Sequence, residues 1–200
     1  KYYHRESLML QKYETALRDK AFFWTVNEKD RVTFMQELKY TRIETLSPFI
    51  PEYQGCWNEI DGNYCLYHGN LSVIENEKAA IWLVANIFDT TEIPLVIAGK
   101  NPSSRLQKLI KQKNNIYLVE NPSHAQMQDL IHKAQINILP SFNHTGIKLK
   151  LINALFNGKH CIVNNAAIEG TGLAPFCRIV DEKDEMKKMV QNLFTQPFIL

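Results

Sequence analysis

A short polar and basic segment in the second half of the chain has the spacing of an anion-binding site. Residues 141–146, Ser-Phe-Asn-His-Thr-Gly, follow a predicted buried strand and lead into a predicted helix that begins at Gly146. The first N–H groups of a helix lack partners and carry the positive end of the helix dipole, which favours a bound phosphate. Lys148 would add a full charge within the first turn. We therefore expect an anion site at Thr145, Gly146 and Lys148, with Lys150 as a second candidate cation.

The same two lysines could instead be solvated side chains on a surface helix, which is the commoner role of lysine. Two features favour the anion site. Lysines at a helix N-terminus oppose the dipole unless an anion compensates them. The apolar residues of this helix also surround it almost completely, which predicts that it is buried; they are Ile147, Leu149, Leu151, Ile152, Leu155 and Phe156.

Other polar residues come directly after predicted strands. In an open parallel sheet, ligands bind beyond the carboxyl ends of the strands, so the residues at those ends are candidates for the same site. They are Gly69 and Asn70 after the first strand of this region, Lys100 after the second, Glu120 and Asn121 after the third, and His144 after the fourth.

The elements that would position these loops alternate regularly from residue 64 onward. Short apolar runs rich in β-branched residues predict six strands, at 64–67, 94–98, 116–119, 136–139, 160–163 and 178–180. Segments with apolar residues at helical spacing predict five helices, at 76–88, 102–111, 123–134, 146–156 and 182–194. Buried strands separated by helices are typical of an α/β fold, here a Rossmann-like, doubly wound parallel sheet.

The first fifty residues follow a different pattern. They predict a partial β-α-β unit, with helices at 3–17 and 28–38 and strands at 21–26 and 42–46. Prolines and glycines then punctuate the chain, which predicts a linker at 51–63 between a partial first domain, 1–50, and a second domain, 64–200. The chain begins with Lys1 and has no signal segment, so we expect a piece of a longer cytosolic polypeptide.

Composition excludes several classes of function. The 23 Lys and Arg residues against 21 Asp and Glu give a net charge of +2, too little to attract nucleic acid. The longest apolar run, 79–88, is far shorter than the ~20 residues that span a bilayer.

The four cysteines form no Cys-x-x-Cys pair and predict reduced thiols, although a Cys56–Cys65 bridge is sterically conceivable. The sequence has no zinc-ligand spacing, Walker motif or Gly-x-Ser-x-Gly elbow, which disfavours a metal site or a nucleophilic hydrolase.

The segment 139–159 resembles the nucleotide-sugar loop and helix of GT-B glycosyltransferases of group 1 (family 4). Many of those enzymes have a Pro-Ser or Pro-Leu turn followed by Gly-x-Lys/Arg-x-Lys, an acidic residue with Ala, and a Gly-Lys/Arg-Pro strand start. Residues 169–173, Glu-Gly-Thr-Gly-Leu, are similar to the family's E-G-L turn. Residues 67–71, with Asn76 and Trp82 downstream, are similar to the start of its donor domain. The likeness covers roughly residues 64–196 in consistent order, and residues 1–50 resemble the tail of the acceptor-side domain.

The resemblance implies the C-terminal half of a GT-B architecture and a retaining hexosyltransferase of polysaccharide biosynthesis. Its donor substrate would be a nucleotide-diphosphate sugar, its acceptor a glycan or lipid-linked molecule, and it would need no cofactor. The catalytic group would lie in the absent domain, so this piece alone is expected to be inactive. The whole protein would be cytoplasmic, with peripheral membrane attachment through the absent domain as a further possibility. The donor-binding residues implied are Gly69, Asn70, Lys100, Glu120, Asn121, His144, Thr145, Gly146, Lys148, Lys150 and Asn153.

Several positions depart from the family pattern. Members with an E-x7-E pair use one carboxylate on the donor sugar and the other on the ribose, but here those places hold Thr145 and Asn153. An uncharged amide hydrogen-bonds a ribose diol about half as strongly as a carboxylate. Asn70 stands near the family's arginine, and Lys78 is the candidate for its lysine. Two alternatives therefore stay open: a catalytically degenerate glycosyltransferase-like binding module, and a sugar-nucleotide epimerase of the same fold.

Overall fold

The computed structural model describes residues 2–18, 20–47, 49, 62–144 and 146–198. The chain divides into two compact units, the first made of residues 1–51 with 145–147 and the second of residues 52–144 with 148–200. Most of the predicted linker 51–63 lies outside the described residues, as do Cys56 and Thr145.

The first unit contains the predicted helix and strand pattern in the predicted order. Its elements are α1 (Tyr2–Leu17), β1 (Phe23–Thr25), α2 (Glu28–Glu37) and β2 (Ile43–Thr45). The two strands pair in parallel, with Phe23 opposite Ile43. Asn27 begins α2, because its side chain accepts a hydrogen bond from the backbone N–H of Asp30. The buried ring of Tyr40 packs edge-to-face against Phe23, which joins the chain after α2 to β1.

The second unit contains all six predicted strands in one parallel sheet, which confirms the Rossmann-like α/β prediction. Its elements are β3 (Gly62–Asn70), α3 (Ile74–Asn86), β4 (Leu95–Lys100), α4 (Ser104–Ile110), β5 (Ile116–Glu120), α5 (His124–Lys133), β6 (Ala134–Ile138), α6 (Leu149–Asn157), β7 (His160–Val163), α7 (Asn165–Ile168), a 3₁₀ helix (Ala174–Phe176), β8 (Arg178–Ile179) and α8 (Lys183–Phe194). Ser123 forms a capping box with Gln126 at the start of α5, as its position before an amphipathic segment predicts.

The strand order places the centre of the sheet at β3 and β6. The strands lie in the order β5, β4, β3, β6, β7, β8, so the chain builds outward from β3 to β5 and then returns to the other side of β3. The loops after β3 and β6 therefore leave the sheet in opposite directions and open a crevice between them, which is the usual ligand position in such sheets.

The structure corrects the prediction for α6. This helix begins at Leu149, three residues later than predicted, because Gly146 has a φ of +69° that no right-handed helix contains. Lys148 is therefore the residue that precedes the helix, and Lys150 lies in its first turn. The helix is also not buried all round, since Leu151 and Ala154 are buried while Leu149 is 55% exposed.

Candidate functional site

The parallel sheet brings most of the predicted site residues to one side of the second unit, which we call the carboxyl edge. It consists of the residues at the ends of β3 to β6 and at the start of α6. Gly69 lies opposite Gly99, Asn70 lies opposite Lys100, and Gly99 lies opposite Glu120. The predicted loops thus lie on the same edge of the sheet, as the sequence predicts.

Lys150 is built into a hydrogen-bond network at the centre of this edge. Its ammonium donates to the hydroxyl of Tyr67 at 3.2 Å and to Oδ1 of Asn76 at 3.0 Å. The Tyr67 hydroxyl in turn donates to the carbonyl of Asn76 at 2.9 Å, and the Asn76 amide donates to the carbonyl of Asn70. The network joins the start of α6 to the end of β3 and the start of α3. The Tyr67 hydroxyl and Oδ1 of Asn76 are both uncharged, so these two hydrogen bonds bring no opposite charge to the ammonium.

The surroundings of Lys150 disfavour its charged form. Burial, and secondarily the nearby charge of Lys148, lower the pKa of Lys150 from 10.5 to about 8. The effect of Lys148 shows that the two lysines are neighbours. An anion placed beside Lys150 would offset the cost of burying its charge and its repulsion by Lys148, because it would supply an opposite charge.

His68 places a buried ring nitrogen without a hydrogen-bond partner among the described residues near Lys150. Its side chain is 4% exposed, and its Nε2 atom has no hydrogen-bond partner among the described residues. Burial, with a smaller effect of Lys150, lowers the pKa of His68 to about 3, so the ring is neutral at physiological pH. The buried, neutral state of His68 could not be predicted from the sequence, because this residue follows an apolar run that predicts an ordinary buried strand.

The loop after β6 is fixed to β7 by a reciprocal pair of hydrogen bonds. The backbone N–H of Ser141 donates to Oδ1 of Asn164 at 2.9 Å, and Nδ2 of Asn164 donates to the carbonyl of Ser141 at 2.7 Å. The Ser141 hydroxyl accepts from the backbone N–H of Asn143 at 3.2 Å. These bonds hold the main chain of the loop in one conformation up to Asn143.

Phe142 joins the same loop to α3. Its ring packs edge-to-face against Trp82, with 5.7 Å between centroids, and the ammonium of Lys78 lies 5.1 Å from its centroid. Trp82 also packs against the hydrophobic core, as expected for an aromatic residue on the apolar face of a helix. Lys78, the candidate for the family's second cation, is therefore held against the loop after β6.

His144 forms a hydrogen bond with a carboxylate that the sequence did not predict. Its Nδ1 lies 2.7 Å from a carboxylate oxygen of Glu169, and both side chains are substantially exposed. Glu169 lies in the segment that resembles the E-G-L turn, and this likeness was the available signal for it. The pair brings a carboxylate to the loop in which the expected glutamate is replaced by Thr145.

The remaining predicted residues have mainly structural partners in the second unit. Asn70 is exposed and its Oδ1 accepts from the N–H of Ser72 at 3.1 Å, which shapes the turn into α3. Two strands outward from β3, at the end of β5, Glu120 accepts from Gln107 and Oδ1 of Asn121 accepts from the N–H of Asn101 at 3.0 Å.

Asn153 and the turn before α6 complete the set of predicted positions. Oδ1 of Asn153 accepts a 2.7 Å hydrogen bond from Nδ2 of Asn157, one turn later in α6. The positive φ of Gly146 favours glycine at that position. Thr145 lies outside the described residues, so its predicted role stays a prediction.

The described residues offer neither a metal site nor a membrane-spanning helix. Residues 2–18, 20–47, 49, 62–144 and 146–198 contain no group of three or more His, Cys, Asp and Glu side chains able to hold a metal ion. In the same ranges, no helix combines the length and the apolar composition that a membrane span needs.

Comparison with known proteins gives a family match over the second unit. Residues 62–195 match the sequence model of the family described as Glycosyl transferases group 1. A Klebsiella pneumoniae protein, described as an uncharacterized 44.6 kDa protein in cps region, is 30% identical over 142 residues. This alignment covers 65% of the chain but 37% of that protein, so the chain spans well under half the length of this relative.

Solved structures share the fold at low sequence identity. A mutant of TarM from S. aureus, in complex with fondaparinux, alpha-GlcNAc-glycerol and UDP, matches with a TM-score of 0.73 and 15% identity, over 93% of this chain and 39% of that one. The pneumococcal O-GlcNAc transferase GtfA, in complex with UDP and GlcNAc, matches with a TM-score of 0.62 and 13% identity, over 91% and 39%. Both are similar to this chain in fold, and the chain spans about two fifths of each.

Proposed function

Since the chain belongs to the family Glycosyl transferases group 1, we propose that it carries the donor-binding part of a hexosyltransferase. The donor is a nucleotide-diphosphate sugar and the acceptor is a glycan or a lipid-linked molecule. The family relationship and the Rossmann-like sheet support this proposal. The residues at the carboxyl edge are the basis for the role proposed for each side chain.

The observation that carries the proposal is the environment of Lys150. Its ammonium lies at the central crevice of the sheet and donates to two neutral acceptors, with Lys148 as a neighbouring positive charge. A diphosphate bound here receives hydrogen bonds from two cations and from the first N–H groups of α6.

This arrangement suits the charge that develops when a sugar leaves its donor. Cleavage of the bond between the sugar and the diphosphate puts additional negative charge on the departing phosphate oxygen. Positive groups fixed beforehand at that oxygen stabilise the transition state more than the ground state, which lowers the barrier. Lys148 and Lys150 are the proposed source of this stabilisation, and no metal ion is required for it. Retention of anomeric configuration is the expectation carried by the family.

The other residues of the edge have proposed roles set by their distance from β3. Gly69 and Asn70, at the end of β3, lie beside the phosphates or the sugar, and His144 hydrogen-bonds a donor hydroxyl or phosphate. Glu120 and Asn121 lie farther along the edge and contact the nucleotide base, with Lys100 between them and β3. Asn153 hydrogen-bonds the ribose, and Thr145 and Gly146 contribute backbone N–H groups to the diphosphate.

Calorimetric titration of the chain with UDP, GDP and their sugars tests the proposal. We expect one nucleotide to bind, and Lys148→Ala and Lys150→Ala each to weaken binding by about 10- to 100-fold, because a charged hydrogen bond contributes about 1.5 to 3 kcal/mol. Lys133→Ala is the matched control, since Lys133 pairs with Asp129 on the surface of α5. Equal affinity in all three variants would contradict the proposed phosphate site.

The chain by itself is proposed to bind the donor without transferring the sugar. It spans less than half of the proteins it resembles, and the catalytic group is assigned to a part of the protein outside these residues. We place the whole protein in the cytoplasm, in polysaccharide biosynthesis, with peripheral membrane association when its acceptor is lipid-linked. The test compares this chain with a longer form of the protein. Release of sugar from the bound donor by the longer form, and not by this chain, would support the assignment of the catalytic group to the additional residues.

A degenerate binding module is the second candidate, and Asn153 favours it. Its amide replaces a family carboxylate and already accepts a hydrogen bond from Asn157. A module of this kind would bind nucleotide weakly or not at all, and its longer form would not release sugar from any donor. The same titration therefore separates the two candidates.

A further inference from the structure

Two cysteines lie side by side on neighbouring strands, on the side of the sheet away from the carboxyl edge. Strands β7 and β8 are parallel, and Ile162 of β7 lies opposite Arg178 of β8. Cys161 and Cys177 each precede one member of this pair, so they also lie opposite each other. Neighbouring parallel strands are about 4.8 Å apart, within the range of Cα distances that a disulfide accepts. Cys161 is buried and Cys177 is half-buried, and neither forms a disulfide in the structure.

Both thiols face one pocket. The pocket has a volume of about 650 Å³ and is lined by Cys161 and Cys177 together with apolar side chains of α6 and the 3₁₀ helix, such as Phe156 and Phe176. Lys159, His160 and Arg178 also line it, and among the described residues that line it none is acidic. A small molecule that enters the pocket can therefore reach the half-buried Cys177, and Lys159 and Arg178 are the positive side chains nearby, a setting that favours a thiolate.

The two thiols are not equivalent. A hydrogen bond between them is the largest influence on both, and it lowers the pKa of Cys177 while it raises that of Cys161, which burial raises further. The more exposed Cys177 is thus the better nucleophile. The buried Cys161 is the resolving thiol, which can attack Cys177 when that sulfur carries a small thiol in a mixed disulfide. Cys65 is different, because burial alone raises its pKa and no second cysteine of the described residues neighbours it.

We propose that Cys161 and Cys177 form a reversible dithiol pair, oxidised to a disulfide by low-molecular-weight disulfides that enter the pocket. The Cys177 thiolate attacks one sulfur of the incoming disulfide, whose S–S bond breaks and releases one thiolate, which takes up a proton. Cys161 then loses its proton to solvent and attacks the Cys177 sulfur, which releases the second small thiol. The two cysteines lose two electrons and two protons, and the small disulfide is reduced to two thiols.

The disulfide would close a loop that reaches the carboxyl edge. Residues 162–176 lie between the two cysteines and include Asn164, which is bonded to Ser141, and Glu169, which is paired with His144. Oxidation would restrict the movement of residues 162–176, and this segment makes both the Asn164–Ser141 and the Glu169–His144 contact with the loop after β6. The proposal does not depend on glycosyl transfer, because it rests on the two thiols and their pocket.

Oxidised glutathione and mass spectrometry test the pair in the full chain. A Cys56→Ser background excludes the one cysteine outside the described residues. We expect the intact mass to fall by about 2 Da, the loss of two hydrogens, and non-reducing digestion to give one peptide that links Cys161 to Cys177. Removal of the resolving thiol by Cys161→Ser should trap a single glutathione on Cys177. Cys65→Ser is the matched control and should react as the background does.

Two results would overturn the proposal. One is the absence of the linked peptide while glutathione adducts accumulate on both cysteines. The other is a faster reaction at Cys65 than at Cys177 when the unsubstituted chain is treated with iodoacetamide at neutral pH. This second measurement needs no substitution, so a folding defect in a variant cannot obscure it.

Discussion

The Lys150 ammonium lies 4.7 Å from the centroid of the Tyr67 ring and donates a 3.2 Å hydrogen bond to the hydroxyl of the same residue. Tyr67 belongs to the buried central strand β3, whereas Lys150 lies in the first turn of α6. A flexible lysine side chain is thereby fixed by a rigid strand at the proposed phosphate site. Preorganisation of this kind reduces the entropy lost when an anion binds.

The first prediction concerns the pH dependence of nucleotide binding. Lys150 titrates at a pKa of about 8 in the folded chain, and a bound diphosphate stabilises its protonated form. The affinity for UDP should be greatest below pH 8 and should fall above it, by at most about tenfold per pH unit. His68 is neutral throughout this range because its pKa is about 3. Calorimetry between pH 7 and pH 9.5 provides the measurement.

Lys150→Arg is the control for this prediction, because a guanidinium stays charged across the whole range. The slope of affinity against pH should be flat in this variant, and a slope as steep as that of the native chain would show that another group titrates.

The stability of the native chain should change with pH in the direction opposite to its affinity for UDP. Lys150 loses its proton near pH 8 when folded but near 10.5 when unfolded, so its contribution to the free energy of unfolding rises between these values.

The second prediction concerns Tyr67→Phe. The substitution removes an acceptor from Lys150 and a donor from the carbonyl of Asn76, and it leaves the packing of the ring unchanged. We expect the free energy of unfolding to fall by about 1 to 3 kcal/mol, measured by urea denaturation, because the part-buried Asn76 carbonyl and the Lys150 ammonium each lose a hydrogen bond. Tyr117→Phe is the control, since Tyr117 is 55% exposed. An equal loss in both variants would mean that the Tyr67 hydroxyl contributes no specific stability.

The sheet could be predicted from sequence because its signals are local. Most strands of the second unit contain a short apolar run, as in the case of His160–Val163, and the order of strands and helices along the chain limits the topology. The start of α6 could not be predicted, since the apolar pattern continues through Ile147 and only the backbone at Gly146 shows the break. The contact of Lys150 with Tyr67 joins residues 83 positions apart, and no periodicity in either segment indicates it.

The third prediction concerns the close approach of β3 and β4 at the carboxyl edge. A Cβ added to Gly99 would lie 1.9 Å from the carbonyl oxygen of Gly69, whereas one added to Gly69 would lie 3.4 Å from the Asn76 side chain. Gly99→Ala should therefore lower the free energy of unfolding by about 3 kcal/mol, because the backbone of a paired strand must move. Gly69→Ala is the matched control and should cost less than about 1 kcal/mol. Denaturant titration of the two variants gives their free energies of unfolding. Similar losses of stability in both variants would contradict the difference in packing.

The fourth prediction concerns the hydrogen bonds of Asn164. An asparagine directly before a helix usually caps it, but here the side chain makes no capping bond and binds both backbone groups of Ser141. Asn164→Asp keeps the acceptor for the Ser141 N–H and places a second oxygen against the Ser141 carbonyl. We expect this variant to lose about 2 to 3 kcal/mol of stability and to bind UDP more weakly, because the loop that carries His144 loses its attachment to β7. Asn192→Asp on the exposed side of α8 should change neither quantity. If UDP affinity is unchanged while stability falls as expected, then the loop after β6 does not contribute to nucleotide binding.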